Sequence, residues 1–206
     1  MNPRGDLRPG PLSALRRFVR DKPAQERCEL CGTPVDAAHP HLVDPKSREL
    51  RCGCRACAIL FAGEGQRWLR VDPLAEYLPA FRLSDAEWDG LRVPIGLAWF
   101  FKSSAAGRVV AFYPGPAGAT ESLITLDAWD AIVAENPVLS RLQADTEALL
   151  ANRVGDKREH YRVSIDACYR LVGLLRLHWR GFSGGSEAWK EIGAFFDELK
   201  GGGPHA

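Results

Sequence analysis

The stretch from Cys28 to Cys57 reads CELCGTPVDAAHPHLVDPKSRELRCGCRAC and holds five of the six cysteines and two of the five histidines. It contains two C-x2-C pairs, Cys28 with Cys31 and Cys54 with Cys57, which lie about twenty residues apart. That separation is typical of a site in which four thiolates bind one zinc ion. The sequence therefore predicts a metal site with these four cysteines as ligands.

The residues around the two pairs predict how each pair is held. Gly32 follows the first pair and permits the positive φ that the turn of a zinc knuckle often requires. The second pair is followed by the apolar run 59–61, as expected where two ligands lie in the first turn of a helix. A knuckle followed by such a helix is a treble-clef-like arrangement.

The same stretch offers alternative ligands and an alternative metal. Zinc accepts four protein ligands in a structural site, so a fifth thiol is left over, and Cys52 could replace Cys54. His39 and His41 could act as mixed ligands, or they could be a surface pair or donate hydrogen bonds to the thiolates. Four thiolates also suit a single iron ion of the rubredoxin kind, which would make the module an electron carrier.

The order of these motifs also resembles the treble-clef nucleases of the HNH type. That resemblance implies an Asp-His pair at the histidines and an asparagine after the last cysteine. Here Pro40 lies between the two histidines and Ala58 follows the last cysteine, so a nuclease is a remote alternative. No catalytic residue is predicted, and the sequence favours a protein that is not an enzyme.

Composition limits the remaining classes of function. The 206 residues are 46% apolar with six Trp and nine Phe, enough for one full domain and a small appended module. The net charge of +1 gives no reason to expect a nucleic-acid partner.

The longest apolar runs are shorter than the roughly 20 residues that span a bilayer. No apolar stretch follows the N-terminal arginines as in a secretory signal. Clustered thiols without export favour a cytoplasmic protein whose thiols bind metal.

The sequence divides into four predicted parts. They are a disordered tail with a short helix from Ser13 (1–25), a zinc-binding module (26–65), an α+β domain (66–200) and a flexible tail (201–206). We expect the α+β domain to contain a small, mainly antiparallel sheet followed by C-terminal helices.

The predicted elements of the larger domain follow from apolar periodicity and capping residues. Strands are expected at 68–72, 95–102, 109–113, 122–126 and 147–154, although the last segment fits a helix equally well. Helices are expected to begin at Ser84, Asp127, Ser164 and Ser186. The segment 157–161 is predicted to be an exposed approach to a helix, with His160 and Tyr161 in solvent. The final helix is predicted to carry Trp189, Ile192, Phe196 and Leu199 along one face.

In combination, several motifs resemble one protein family of unknown activity. They are CELCG, HPHLVD, CRACAILF, YPGPAGATES and CYRLVGLLRLHWRGFSGG, and the resemblance runs from about residue 25 to residue 200. Members of that family are commonly encoded beside genes of NiFe hydrogenases. The resemblance implies an accessory protein that assembles a hydrogenase, escorts a subunit or relays electrons, with a hydrogenase subunit or a maturation factor as its partner. The two C-terminal helices and the aromatic turn between them are the predicted docking side.

Overall fold

A computed structural model of the chain describes residues 25–115, 117–122, 126–181 and 184–202. The predicted N-terminal tail and its short helix lie outside the described residues, as do most of the predicted C-terminal tail and the centre of the predicted 122–126 strand.

The described residues form a mixed α/β structure with two antiparallel sheets and C-terminal helices, which confirms the predicted fold class. In chain order the elements are β1 (His41–Asp44), β2 (Glu49–Cys52), α1 (Arg55–Phe61), β3 (Leu69–Val71), β4 (Ala75–Tyr77), α2 (Asp85–Gly90), β5 (Leu97–Ser103), β6 (Arg108–Gly115), β7 (Gly118–Ser122), α3 (Leu126–Glu135), a 3-10 helix (Pro137–Arg141), β8 (Glu147–Asn152), β9 (Glu159–Ser164), α4 (Ile165–His178) and α5 (Gly185–Lys200).

The smaller sheet has three strands in the order β2-β1-β3, and both pairings are antiparallel. The β1–β2 hairpin stands between the first cysteine pair and α1, whose start carries the second pair. A knuckle, a hairpin and a helix in this order correspond to the predicted treble-clef-like module. The third strand, β3, begins at residue 69 and pairs with β1, so the sheet continues past residue 65.

The larger sheet has six strands in the order β4-β9-β8-β5-β6-β7, all paired antiparallel. Both of its faces are covered. Successive residues of β5 point to opposite faces, so Trp99 packs in one apolar cluster and Phe100 in the other. The first cluster includes residues of α4 and α5, whereas the second includes Trp129 of α3 and Leu139 of the 3-10 helix. The sheet is therefore sandwiched between two helical layers.

Burial on both faces explains why one strand was ambiguous in the sequence. All six residues of β8 are buried, so this strand lacks the alternation of polar and apolar residues that marks a half-exposed strand. The capping box of α2 is confirmed, because the Ser84 hydroxyl accepts from the Glu87 N–H and the Glu87 carboxylate accepts from the Ser84 N–H.

The predicted exposure of His160 and Tyr161 in the segment 157–161 was wrong. His160 and Tyr161 are buried, because the segment 159–164 is strand β9 and lies between β4 and β8. The charged residues just before it, Lys157 to Glu159, gave this segment the sequence character of a loop. Along the predicted apolar face of α5, Phe196 is buried, whereas Trp189, two turns before it, is 38% exposed.

The burial of His160 predicts an acid-dependent loss of stability. Burial, reinforced by the positive charges of Arg153 and Arg158, lowers the pKa of His160 from 6.5 to about 4. Between these two values the unfolded chain binds a proton that the folded chain does not, so stability falls as the pH decreases from 6.5 to 4. At 1.36 kcal/mol per pKa unit, the loss approaches about 3 kcal/mol.

The measurement is urea unfolding across this pH range for the wild type and for His160→Phe. Phenylalanine preserves the stacking on Phe81, whose ring centroid lies 4.6 Å from that of His160. We expect the variant to lose less stability on acidification than the wild type, by about 3 kcal/mol at pH 4. Acid release of a bound metal would affect both proteins alike, so equal pH profiles would contradict the assignment to His160.

Candidate metal centre

The first cysteine pair lies in a tight turn whose backbone is fixed by hydrogen bonds. The Gly32 N–H donates to the Cys28 carbonyl at 2.8 Å, and the Cys28 N–H donates to the Thr33 carbonyl at 2.8 Å. Gly32 has a φ of +76°, a left-handed conformation that glycine adopts without strain. This is the knuckle turn that the sequence predicts.

The second cysteine pair lies at the start of α1. Cys54 is the N-cap residue, and its sulfur accepts from the Cys57 N–H at 3.4 Å. Cys57 is in the first turn of the helix and is buried. The cap thus orients both sulfurs toward the end of the helix that faces the knuckle.

The sulfurs of Cys28, Cys31, Cys54 and Cys57 all lie within 4.8 Å of one another. All six cysteines are free thiols, and the sulfurs of Cys31 and Cys54 are 3.7 Å apart. With zinc–sulfur bonds of about 2.3 Å, the edge of a tetrahedral four-thiolate site is about 3.8 Å. The group therefore has the composition and size of a site that could bind one metal ion.

The protein environment lowers the pKa of two of the four thiols and raises the pKa of a third. Burial raises the pKa of Cys28, but backbone N–H groups of Cys54, Leu30 and Cys31 outweigh it and leave this pKa below its ordinary value. The hydroxyl and backbone of Thr33 are the main reason that the pKa of Cys31 falls to about 6. Burial raises the pKa of Cys57 far above its ordinary value. A cation among the sulfurs would replace the proton that Cys57 otherwise keeps.

The three alternative ligands lie outside this group and form a second one. One ring nitrogen each of His39 and His41 and the sulfur of Cys52 lie within 4.8 Å of one another. Burial, together with the carboxylate of Glu29, raises the pKa of the Cys52 thiol. The structure thus brings together the four cysteines of the two C-x2-C pairs, and separately the two histidines and the leftover cysteine.

A carboxylate from the far end of the chain completes the second group. The imidazole Nδ1 of His41 and the Oδ2 of Asp166 are 2.7 Å apart, although 125 residues separate them. This hydrogen bond raises the pKa of His41 above its ordinary value. The sequence analysis missed Asp166, which has the sequence character of an ordinary acidic residue in the first turn of α4.

The helix that carries the second cysteine pair also exposes an apolar surface. Ile59, Leu60 and Phe61 are 68%, 66% and 48% exposed. The predicted docking side has exposed apolar residues as well, namely Leu177 at the end of α4 and Trp189 in α5. Single exposed apolar residues are common on proteins, but three in succession beside a metal-ligand group mark a candidate contact surface.

The fold and the cysteine group together define a mixed α/β protein with a treble-clef-like module that could bind a metal. A family model described as a family of unknown function (DUF5947) matches residues 27–202, which include both groups of candidate ligands and both sheets. The chain belongs to this family. No curated protein and no solved structure matches the chain. Among the described residues, no helix combines the length and the apolar character needed to cross a membrane.

Proposed function

We propose that this protein is a zinc-binding accessory protein that acts through contacts with a protein partner. The observation that carries the proposal is the group of four sulfurs within 4.8 Å of one another, at tetrahedral spacing. We assign Cys28, Cys31, Cys54 and Cys57 as the ligands. Four protein ligands fill the tetrahedral coordination of zinc and leave no position for a substrate, which is typical of a structural site. A reducing cytoplasm would keep these thiols available for metal.

The accessory role is supported by the surface beside the metal group. Ile59, Leu60 and Phe61 continue the helix that begins at Cys54, so metal binding at the start of α1 would fix the orientation of these apolar side chains. The resemblance described above implies a hydrogenase subunit or a maturation factor as the partner. We propose that such a partner covers the exposed side chains of α1, because their burial would contribute favourably to association.

One observation favours a second candidate function. Cys31 is exposed, so an iron ion bound by the four thiolates would lie close to the surface. Electron transfer to a docked hydrogenase would then need only a short path. In this alternative the protein is a rubredoxin-like electron carrier.

Metal analysis separates the two functions. The full chain is purified anaerobically, and its metal content is measured by elemental analysis together with its visible spectrum. A colourless protein that contains zinc supports the structural site. A red protein with bound iron, whose thiolate-to-iron absorption changes on reduction, supports the electron carrier instead. A chain without any metal, or one with disulfide-bonded cysteines, contradicts both functions.

Partner binding is tested with a matched pair of variants. The pull-downs use hydrogenase subunits and maturation factors encoded beside the gene of this protein. The double variant I59S/L60S is expected to weaken their capture by about tenfold or more. Leu177→Ser is the control, because it removes a similarly exposed leucine from α4. If only Leu177→Ser weakened capture, the contact surface would lie on the C-terminal helices instead of α1. If the wild type captured none of these proteins, the hydrogenase role would be contradicted.

A further inference from the structure

His39, His41 and Cys52 form a second cluster of metal-ligating side chains beside the four cysteines. One nitrogen from each histidine and the Cys52 sulfur lie within 4.8 Å of one another, and the two imidazole rings are perpendicular with centroids 5.0 Å apart. The three residues come from the segment before β1, from the start of β1 and from the end of β2. His41 and Cys52 are directly opposite each other in the β1–β2 pairing.

The His39 side chain is buried, and one of its two ring nitrogens has no hydrogen-bond partner among the described residues. Its side chain is only 6% exposed, and its Nδ1 lies 2.7 Å from the carbonyl oxygen of Asp36, to which it donates. The remaining nitrogen, Nε2, is buried and has no hydrogen-bond partner among the described residues. A buried acceptor without a donor costs free energy, and a bound cation would satisfy it.

His41 is oriented as a ligand by a carboxylate. Its Nδ1 donates to the Asp166 carboxylate at 2.7 Å, which leaves the lone pair of Nε2 available. Histidines that bind metals usually donate their other ring N–H to a carboxylate or a carbonyl, because this fixes the tautomer and raises the basicity of the ligand nitrogen. His39 and His41 both satisfy this description, one through a carbonyl and the other through a carboxylate.

Cys52 is held in place through its backbone. Its N–H donates to the Glu29 carboxylate at 2.6 Å, and its carbonyl accepts from the Glu29 N–H at 2.9 Å. Glu29 lies between the two cysteines of the knuckle, so the position of Cys52 depends on the knuckle turn. The sulfur itself has no ligand role in the four-cysteine group.

We propose that His39, His41 and Cys52 bind a second divalent transition-metal ion and leave one coordination position open to a small exogenous ligand. One thiolate and two imidazoles suit zinc or cobalt rather than magnesium or calcium. Three protein ligands leave a fourth tetrahedral position, as in zinc sites that exchange water or substrate. His41, Cys52 and Asp166 line a cavity of about 310 Å³, which provides space for that ligand.

The first test counts metal ions in the anaerobically purified full chain after dialysis against zinc. We expect two zinc ions per wild-type chain and one per chain for His41→Ala and for Cys52→Ala. Cys168→Ala is the control, since this buried thiol of α4 belongs to neither group, and it is expected to keep two. One zinc per wild-type chain, or two in His41→Ala, would overturn the second site. If the four cysteines bound no zinc while the second cluster did, the proposed function would be contradicted instead.

A milder variant and a spectroscopic probe keep the test independent of folding. Asp166→Asn is expected to weaken binding of the second metal ion by about 10–100-fold while the first remains bound. In the cobalt-substituted protein, azide is expected to change the visible bands of the single-thiolate site and to leave those of the four-thiolate site unchanged. An Asp166→Asn protein with unaltered affinity would overturn the ligand assignment, and cobalt bands that azide does not change would overturn the open position.

Discussion

Cys57→Ser is expected to bind no metal among the four cysteines and to lose the folded structure of the knuckle and α1, while the six-stranded sheet stays folded. The substitution removes a buried sulfur that lies within 4.8 Å of the other three. Three thiolates and a serine hydroxyl are a far weaker ligand set for zinc, which prefers thiolate and imidazole donors.

The loss in the knuckle and α1 should be complete because these two elements have very little other stabilisation. Their buried residues lie in two small apolar clusters: one contains Cys28, Val35 and Cys57, and the other Leu42, Ala58 and Trp68. Zinc contributes about 10–16 kcal/mol to the folding of comparable small zinc-binding peptides. The six-stranded sheet lies between two extensive apolar clusters, so it does not depend on the metal.

Limited proteolysis combined with elemental analysis measures this outcome. In Cys57→Ser, new cleavage sites are expected in the knuckle and α1, whereas β5, β6, β8, β9, α4 and α5 remain protected. Cys168→Ala is the control for removal of a buried thiol and is expected to show the wild-type pattern. If Cys57→Ser kept a tightly bound metal and a protected module, the four-cysteine assignment would be wrong.

The grouping of the four cysteines was predictable because its geometry is encoded locally. A C-x2-C pair fits one turn, and Gly32 and the cap at Cys54 lie within or beside their pairs. The separation of the two pairs leaves room for the β1–β2 hairpin that brings them together. The spare cysteine was also visible in the sequence, but its grouping with His39 and His41 depends on the register of that hairpin, which the spacing alone does not determine.

Long-range features could not be predicted in the same way. Asp166 reaches His41 only because the smaller sheet packs against the layer that contains α4, and no local pattern encodes that contact. The order of the six strands is likewise a property of the whole chain. The strand β9 was missed because a charged run leads into it and gives the segment the sequence character of a loop before a helix.

The exposure of apolar residues on α1 was partly predictable from the sequence. Successive residues of a helix are rotated by about 100°, so three consecutive apolar residues cannot all point to one neighbour. The run 59–61 therefore could not be buried by packing on a single neighbouring element. In the structure all three are exposed, because α1 uses Cys57 and Ala58 for its buried side.

Arg162→Met is expected to destabilise the fold by about 3 kcal/mol, because it leaves the nearly buried Glu147 carboxylate without its cation. The guanidinium of Arg162 binds both carboxylate oxygens of Glu147 at 2.7–2.9 Å across the β8–β9 pair. It also reaches the Glu76 carboxylate of β4 at 3.3 Å. This arginine thus joins three neighbouring strands of the larger sheet.

Equilibrium urea unfolding of a set of variants measures the effect and separates its causes. Glu76→Gln is the matched control, since it removes the more exposed of the two carboxylates, and it should cost less than about 1 kcal/mol. The double variant E147Q/R162M removes both charges of the buried pair. It should therefore be more stable than Arg162→Met alone, because no unpaired charge remains buried. Glu147→Gln is measured alone as well. If the double variant instead lost the sum of the effects of Arg162→Met and Glu147→Gln, the destabilisation would come from lost packing of the arginine stem rather than from an unpaired buried carboxylate.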